Sequence, residues 1–226
     1  MPAASDLQRH LLRLKELRGT DAQPPARLAE LKGWQAARLA KTYEDYASRP
    51  RYAQATEFFL DDLYGVKDFS GRDREMLRIL PVMRRILPAS AVDTASRAIE
   101  LEALTEDLDQ RLAAALAQGP ITEQSYADAY RASSTRAERM RQIDLIDHVG
   151  RNLDALVAKP FVGATLKLMR QPARVGGLAG LQDFLERGFQ AFRRVKGANE
   201  FLGALRDRET AILNRLFSGK AEPFSP

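Results

Sequence analysis

The sequence predicts an all-α fold, a single-domain bundle of about eight to ten helices separated by Pro/Gly punctuation. Three observations predict it. Ala, Leu, Arg and Glu dominate while β-branched residues are sparse, which favours helix over strand. Apolar residues recur at three- and four-residue spacing, and no useful length of chain alternates apolar with polar residues. Turn residues fall between the periodic stretches. The chain has 226 residues, 45% hydrophobic and 29% charged, enough to bury one sizeable core. Residues 1–220 are therefore expected as one helical domain, with 50–87 near its centre and 221–226 as a short flexible tail.

Ser5 can cap a first helix carrying Leu7, Leu11, Leu12, Leu14 and Leu17, ended by Gly19. Pro25 suits the first turn of a second helix, expected to reach Ser48 with Leu28, Leu31, Leu39, Tyr43 and Tyr46 on one side and Trp34 anchoring it. Arg49-Pro50 punctuates, and a third helix is expected from Tyr52 to Tyr64, with Gly65 as its stop. Ser70, with Asp73 three places on, reads as the cap of a fourth helix, Arg74 to Leu87, interrupted by Pro81. A long helix should follow to Gln118, its stripe passing from Val92, Ala95 and Ile99 to Leu101, Leu104, Leu108, Leu112 and Leu116. Gly119-Pro120 ends it, and Thr122 caps the next, which breaks or bends at Ser133-Ser134. A strong helix resumes through Met140, Ile143, Ile146, Leu153 and Leu156. A short helix from Phe161 to Met169 is expected to stop before Pro172. Gly176, Gly177 and Gly180 suit a hinge or close helix packing. Helices at Leu181–Val195 and Asn199–Phe217 complete the chain, divided by Gly197.

The absence of cysteine excludes disulfides, thiolate metal sites and cysteine nucleophiles. The formal net charge of +5 hints at acidic partners such as nucleic acid or anionic lipid, yet Arg is spread along nearly every helix and interleaved with Asp and Glu. No run approaches the length of a bilayer span, and the charged N-terminus lacks a signal-like apolar core, so a cytoplasmic location is expected.

The most distinctive local chemistry is Phe58-Phe59-Leu60-Asp61-Asp62-Leu63-Tyr64. This string resembles the motif of an uncharacterised bacterial family named after FFLEELY, with both glutamates replaced by Asp61 and Asp62. Tyr64-Gly65, Asp68-Phe69, Arg72-Asp73, Pro81-Val82-Met83 and Gly188-Phe189-Gln190-Ala191-Phe192-Arg193 extend the likeness over most of the chain as one domain. The resemblance implies no established activity and marks residues 58–83 as a defining feature.

Read physically, the motif places Phe59 and Leu63 toward a core and at least one of Asp61 and Asp62 at its edge. A carboxylate there needs a partner, either an internal Arg (Arg72, Arg74 or Arg84) or an external ligand. Phe58, Phe59, Asp61, Asp62, Tyr64, Arg72 and Asp73 are the candidate interaction residues. The segment either presents a docking surface or organises the helix crossing beneath one.

A second constellation is Asp144 and His148, four apart on one helical face, a spacing that can share a metal. It is similar to one helix of the haem-oxygenase-like di-iron oxidases, and Glu57 with Asp61 could supply a second pair for Fe or Mn. Only two histidines exist, however, and no Glu-x-x-His occurs. The plainer reading has His148 satisfied by Asp144 or a backbone carbonyl. Arg131, Arg136, Arg139 and Arg141 could form a basic strip, or a solvated face balanced by Glu138, Asp144 and Asp147. The glycine cluster matches no phosphate loop, and nucleophile motifs are absent.

These readings predict a non-catalytic, cytoplasmic interaction or scaffold protein with a protein partner and no cofactor. The alternatives are a metal-dependent oxidase using Glu57, Asp61, Asp144 and His148, and a weak binder of nucleic acid or another anionic ligand.

Overall fold

The computed structural model describes residues 2–19, 24–59, 75 and 89–224. Among them the regular structure is entirely helical, a single-domain all-α bundle. In chain order the described helices are α1 (Pro2–Arg18), α2 (Ala26–Thr42), α3 (Glu44–Ala47), α4 (Ala53–Phe58), α5 (Ala89–Ala115), α6 (Glu123–Ser133), α7 (Arg136–Val157), α8 (Pro160–Val175), α9 (Ala179–Val195) and α10 (Asn199–Phe217). The expected stop at Gly65, the cap at Ser70 and the fourth helix with Pro81 lie outside the described residues.

The stripe of α5 changes sides along its length of about 40 Å, and this makes it the spine. Its first half packs on α1, where Leu7, Leu11 and Leu14 meet Val92, Ile99 and Ala103. Its second half turns Leu112, followed by Leu116 just past its end, to a core shared with Leu28 and Leu31 of α2, Tyr126 of α6, Ile143 of α7, and Ile212, Leu213 and Leu216 of α10. A third, aromatic core gathers Tyr43, Tyr46, Tyr52, Phe58, Phe59, Phe192 and Phe201. There α9 lies on α4 and α7, and α8 lies on α9.

Local chemistry sets the helix ends. At α6, Thr122 Oγ1 accepts from the Ser125 N–H at 3.1 Å while Ser125 Oγ accepts from the Thr122 N–H at 2.9 Å. At α7, Thr135 and Glu138 form the same reciprocal box, at 3.2 and 2.7 Å. The Thr135 N–H, with Arg111 assisting against a desolvation penalty, holds the Glu138 carboxyl down to about 2. Arg51 closes the other end of α9, donating to the carbonyls of Val195, Lys196 and Gly197.

Several boundaries differ from expectation. Helix α1 starts at Pro2, so Ser5 lies inside its first turn, and Leu12 faces outward. The second helix is interrupted at Tyr43. Arg208 takes the Thr42 carbonyl at 2.7 Å, and the Tyr46 N–H bonds Tyr43 instead. Helix α5 ends at Ala115, a little short of Gln118: Gly119 turns at φ +103° and Pro120 offers no N–H to the Leu116 carbonyl, and Arg27 takes the carbonyls of Ala117 and Gly119 beyond the end. Helix α8 continues through Pro172 to Val175. That proline removes a hydrogen bond only in the last turn, on an exposed face. The C-terminal segment, expected as a flexible tail, is held as far as Phe224, whose ring lies 5.6 Å from Trp34 and 5.8 Å from Tyr126. Pro223 is buried, and its carbonyl accepts from Arg215 at 2.7 Å.

The core assignment predicts a contrast between two leucines. Leu112→Ala, fully buried, should lower unfolding free energy by about 2–5 kcal/mol in urea titration. Leu12→Ala, on the outer side of α1, should stay within about 0.5 kcal/mol of the parent.

Candidate functional site

Phe58 and Phe59 are both buried, Phe59 on the core side where the sequence reading put it. Phe58 tilts against Phe184 of α9 at 5.4 Å, and Phe59 meets Tyr43 edge-on at 6.2 Å. A Cβ placed on Gly188 would sit 2.9 Å from the Phe58 ring, so only glycine lets α9 come this close. Two stretches that carry the family resemblance therefore touch. Asp61, Asp62, Tyr64, Arg72 and Asp73 lie outside the described residues. Glu75, within that segment, accepts from the Leu181 N–H at 2.8 Å in the first turn of α9, where a carboxylate suits the helix dipole.

Asp144 and His148 share a face of α7 but serve different partners. Asp144 accepts from Arg206 of α10 at 2.8 Å. His148 stands half-exposed, its Nε2 3.1 Å from Asn152 Nδ2 and 3.9 Å from Asp93 of α5. The expected Asp144–His148 contact is thus replaced by an ion pair between α7 and α10. Arg206 also reaches the buried Asp147, which Arg151 holds at 2.9–3.0 Å. Glu57 is exposed on α4. Among the described residues no group of three His, Asp or Glu side chains could hold a metal ion.

The four arginines considered as a strip do not form one. Arg131 bonds Asp128 and the Leu216 carbonyl, Arg136 bonds Asn214, and Arg141 bonds Glu100. Arg139 is not on a solvated face at all: it is 3% exposed and its guanidinium lies over the Tyr130 ring at 4.2 Å. It lines a cavity of about 50 Å³ together with Gln35, Arg38, Asp109, Tyr126, Gln142 and Glu209. Gln35 donates to Asp109 at 3.0 Å, and Arg38 pairs with Glu209 at 2.7 Å. Arg139 donates to Ser134 and Gln142, while its Nη2 is buried without a hydrogen-bond partner among the described residues. The cavity has room for a few waters and is too small for an ordinary metabolite. Its chemistry fits a structural polar core better than a substrate pocket.

The other concentration of unusual chemistry is the hairpin of α8 and α9. Residues 159–197 hold eight Lys and Arg against two Asp and Glu, a surplus of six in a chain of net charge +5. The rest of the chain is therefore close to neutral, and the even spread of Arg conceals a local excess. All eight cations are exposed. Five of the six exposed large hydrophobics among the described residues also lie here: Phe161, Leu168, Met169 and Val175 on α8, and Leu185 on α9.

The hairpin is rigidly built. The last turn of α8 closes through Gly177 at φ +66°, with the Leu178 N–H bonding the Ala173 carbonyl at 2.7 Å and the Gly177 N–H bonding Arg174 at 3.0 Å. The buried Gln182 bridges the Leu166 carbonyl and Glu186, each at 2.7 Å. Arg170 forks onto Glu186, and this contact, aided by Gln182 and Arg174 against desolvation, holds the Glu186 carboxyl at about 2. Gly163 admits the Phe189 ring, 2.7 Å from where its Cβ would lie. Gly177 acts here as a helix stop, where the sequence suggested a hinge or close helix packing.

A family model described as a domain of unknown function, DUF8198, matches residues 15–223. The chain belongs to the DUF8198 family. No curated protein and no solved structure matches it. The DUF8198 match spans the polar cavity, the Phe58–Gly188 contact and the whole hairpin, so all three lie inside the family domain. None of the described helices of this DUF8198 chain is long and apolar enough to cross a membrane.

Burial pushes the Asp109 carboxyl up, with Arg139 and Gln35 opposing less strongly. The folded state then binds more protons than the unfolded state, so this group's contribution to stability falls as pH rises past its ordinary 3.8. Asp109→Asn keeps an acceptor for Gln35 and removes the titration. Its urea midpoint should gain on the parent as pH climbs toward neutrality, and the gain should vanish in acid. A variant that instead loses ground with rising pH would contradict the assignment.

Proposed function

We propose that the chain is a non-catalytic interaction protein whose docking surface is the α8–α9 hairpin. The observation that carries this is the coincidence, on one rigid hairpin, of nearly all the exposed apolar side chains with the whole charge surplus. A monomer rarely leaves such a patch without use. In this reading the FFLDDLY string is the family's signature because it organises the hairpin from beneath, with Phe58 seated under Gly188, while Glu75 farther along satisfies the start of α9. The same proposal places the protein in the cytoplasm of a bacterium.

Photo-crosslinking in cells tests the surface. A photoreactive side chain at position 168 or 175 should give adducts, and one at exposed position 123 on α6 should not. Adduct levels at 168 and 175 no higher than at 123 would contradict the proposal.

The oxidase alternative requires Asp144 and His148 to leave their present partners. Elemental analysis of untagged protein, grown with iron and manganese available, should find metal far below one ion per chain. Near-stoichiometric metal that is lost in folded Asp144→Ala and His148→Ala variants would favour the oxidase.

A further inference from the structure

We infer that the partner of the α8–α9 hairpin is an anionic lipid surface, on which α8 lies in the headgroup plane; this rests on the docking reading above. Phe161, Leu168 and Val175 recur every seven residues and so form one line, about 21 Å long, along the outer side of α8. They are 60%, 77% and 88% exposed, while Ala173 alone on this helix is fully buried. The line is a convex ridge rather than a groove. A ridge of apolar side chains on an exposed helix can sink into a flat, deformable apolar layer.

Charge selects the class of surface. Helix α8 carries Lys167, Arg170 and Arg174 and no acid, and Lys159 precedes it. Among the described residues Arg170 is paired with a carboxylate, Glu186, while Lys159 and Lys167 make no ion pair. Apolar residues outermost with cations at their flank are the requirements of an interfacial helix on anionic headgroups. A second copy of the chain would bring two surfaces of the same sign together. A nucleic acid would set phosphates against Leu168 and Val175, with Phe161 as the lone aromatic on the ridge and no stacking series.

Vesicle co-sedimentation of the full chain tests this directly. Binding is expected to phosphatidylcholine–phosphatidylglycerol vesicles and not to phosphatidylcholine alone. Lys167→Gln with Arg174→Gln should weaken it about twenty-five-fold, about five-fold per cation. Leu168→Glu with Val175→Glu should weaken it at least about ten-fold. All four positions are exposed, so unchanged thermal unfolding would show that both variants remain folded. Equal binding to neutral and anionic vesicles, no binding to either, or variants that bind like the parent would overturn the inference. If vesicles fail while position 168 crosslinks to a protein in cells, the lipid inference falls and the docking reading stands. If both fail, both fall.

Discussion

The structure depends on polar groups buried where five helices meet. Arg139 of α7 and Asp109 of α5 are nearly inaccessible, and Gln35 of α2, Tyr126 of α6 and Glu209 of α10 surround the same cavity. An ion left unsatisfied in such a place costs several kcal/mol. The registers of α2, α5 and α10 are therefore coupled: a slip of α2 would break both the Gln35–Asp109 and the Arg38–Glu209 contact. Arg38 shows the same logic, since its burial opposes a charge that Glu209 beside it more than restores. The leucine layers around the cavity supply the apolar burial, and the polar centre fixes how they align.

From this centre the molecule becomes progressively less enclosed. The aromatic core seats α4 against α9, with Phe58 filling the space that Gly188 leaves. Helix α9 still buries Leu181, Ala191, Phe192 and Val195, whereas α8 rides on α9 and buries only Ala173. Gln182 and the Arg170–Glu186 fork then lock α8 in place with its apolar ridge turned away from the body. A helix held this firmly has not been left exposed for want of packing. Among the described residues nothing covers its outward face.

Much of the fold was legible because its punctuation has direct physical causes. Gly119-Pro120, the Thr122 cap and the Asn199–Phe217 helix lie where glycine, proline and hydroxyl chemistry place them. Thr135 with Glu138 offers the same capping signal, and the chain bends there, just past Ser133-Ser134. The end at Thr42 was not legible, since Arg208 sets it by reaching across from distant sequence. Periodicity also could not separate Arg139, which is buried, from Arg131 and Arg136, which are not. The candidate site was the hardest part to read. Phe58 and Phe59 of the rare FFLDDLY string lie in the core, while the exposed apolar and cationic residues of α8 are common ones. A running count of net charge along the chain would have marked residues 159–197.

Hydrogen–deuterium exchange of the full chain, with and without anionic vesicles, tests the account most directly because it reads every helix at once. The account predicts new protection confined to α8 and the adjoining part of α9, with α2, α5, α6, α7 and α10 already slow and unchanged around their polar centre. Protection that appears elsewhere, or an α8 that exchanges alike in both conditions, would contradict it.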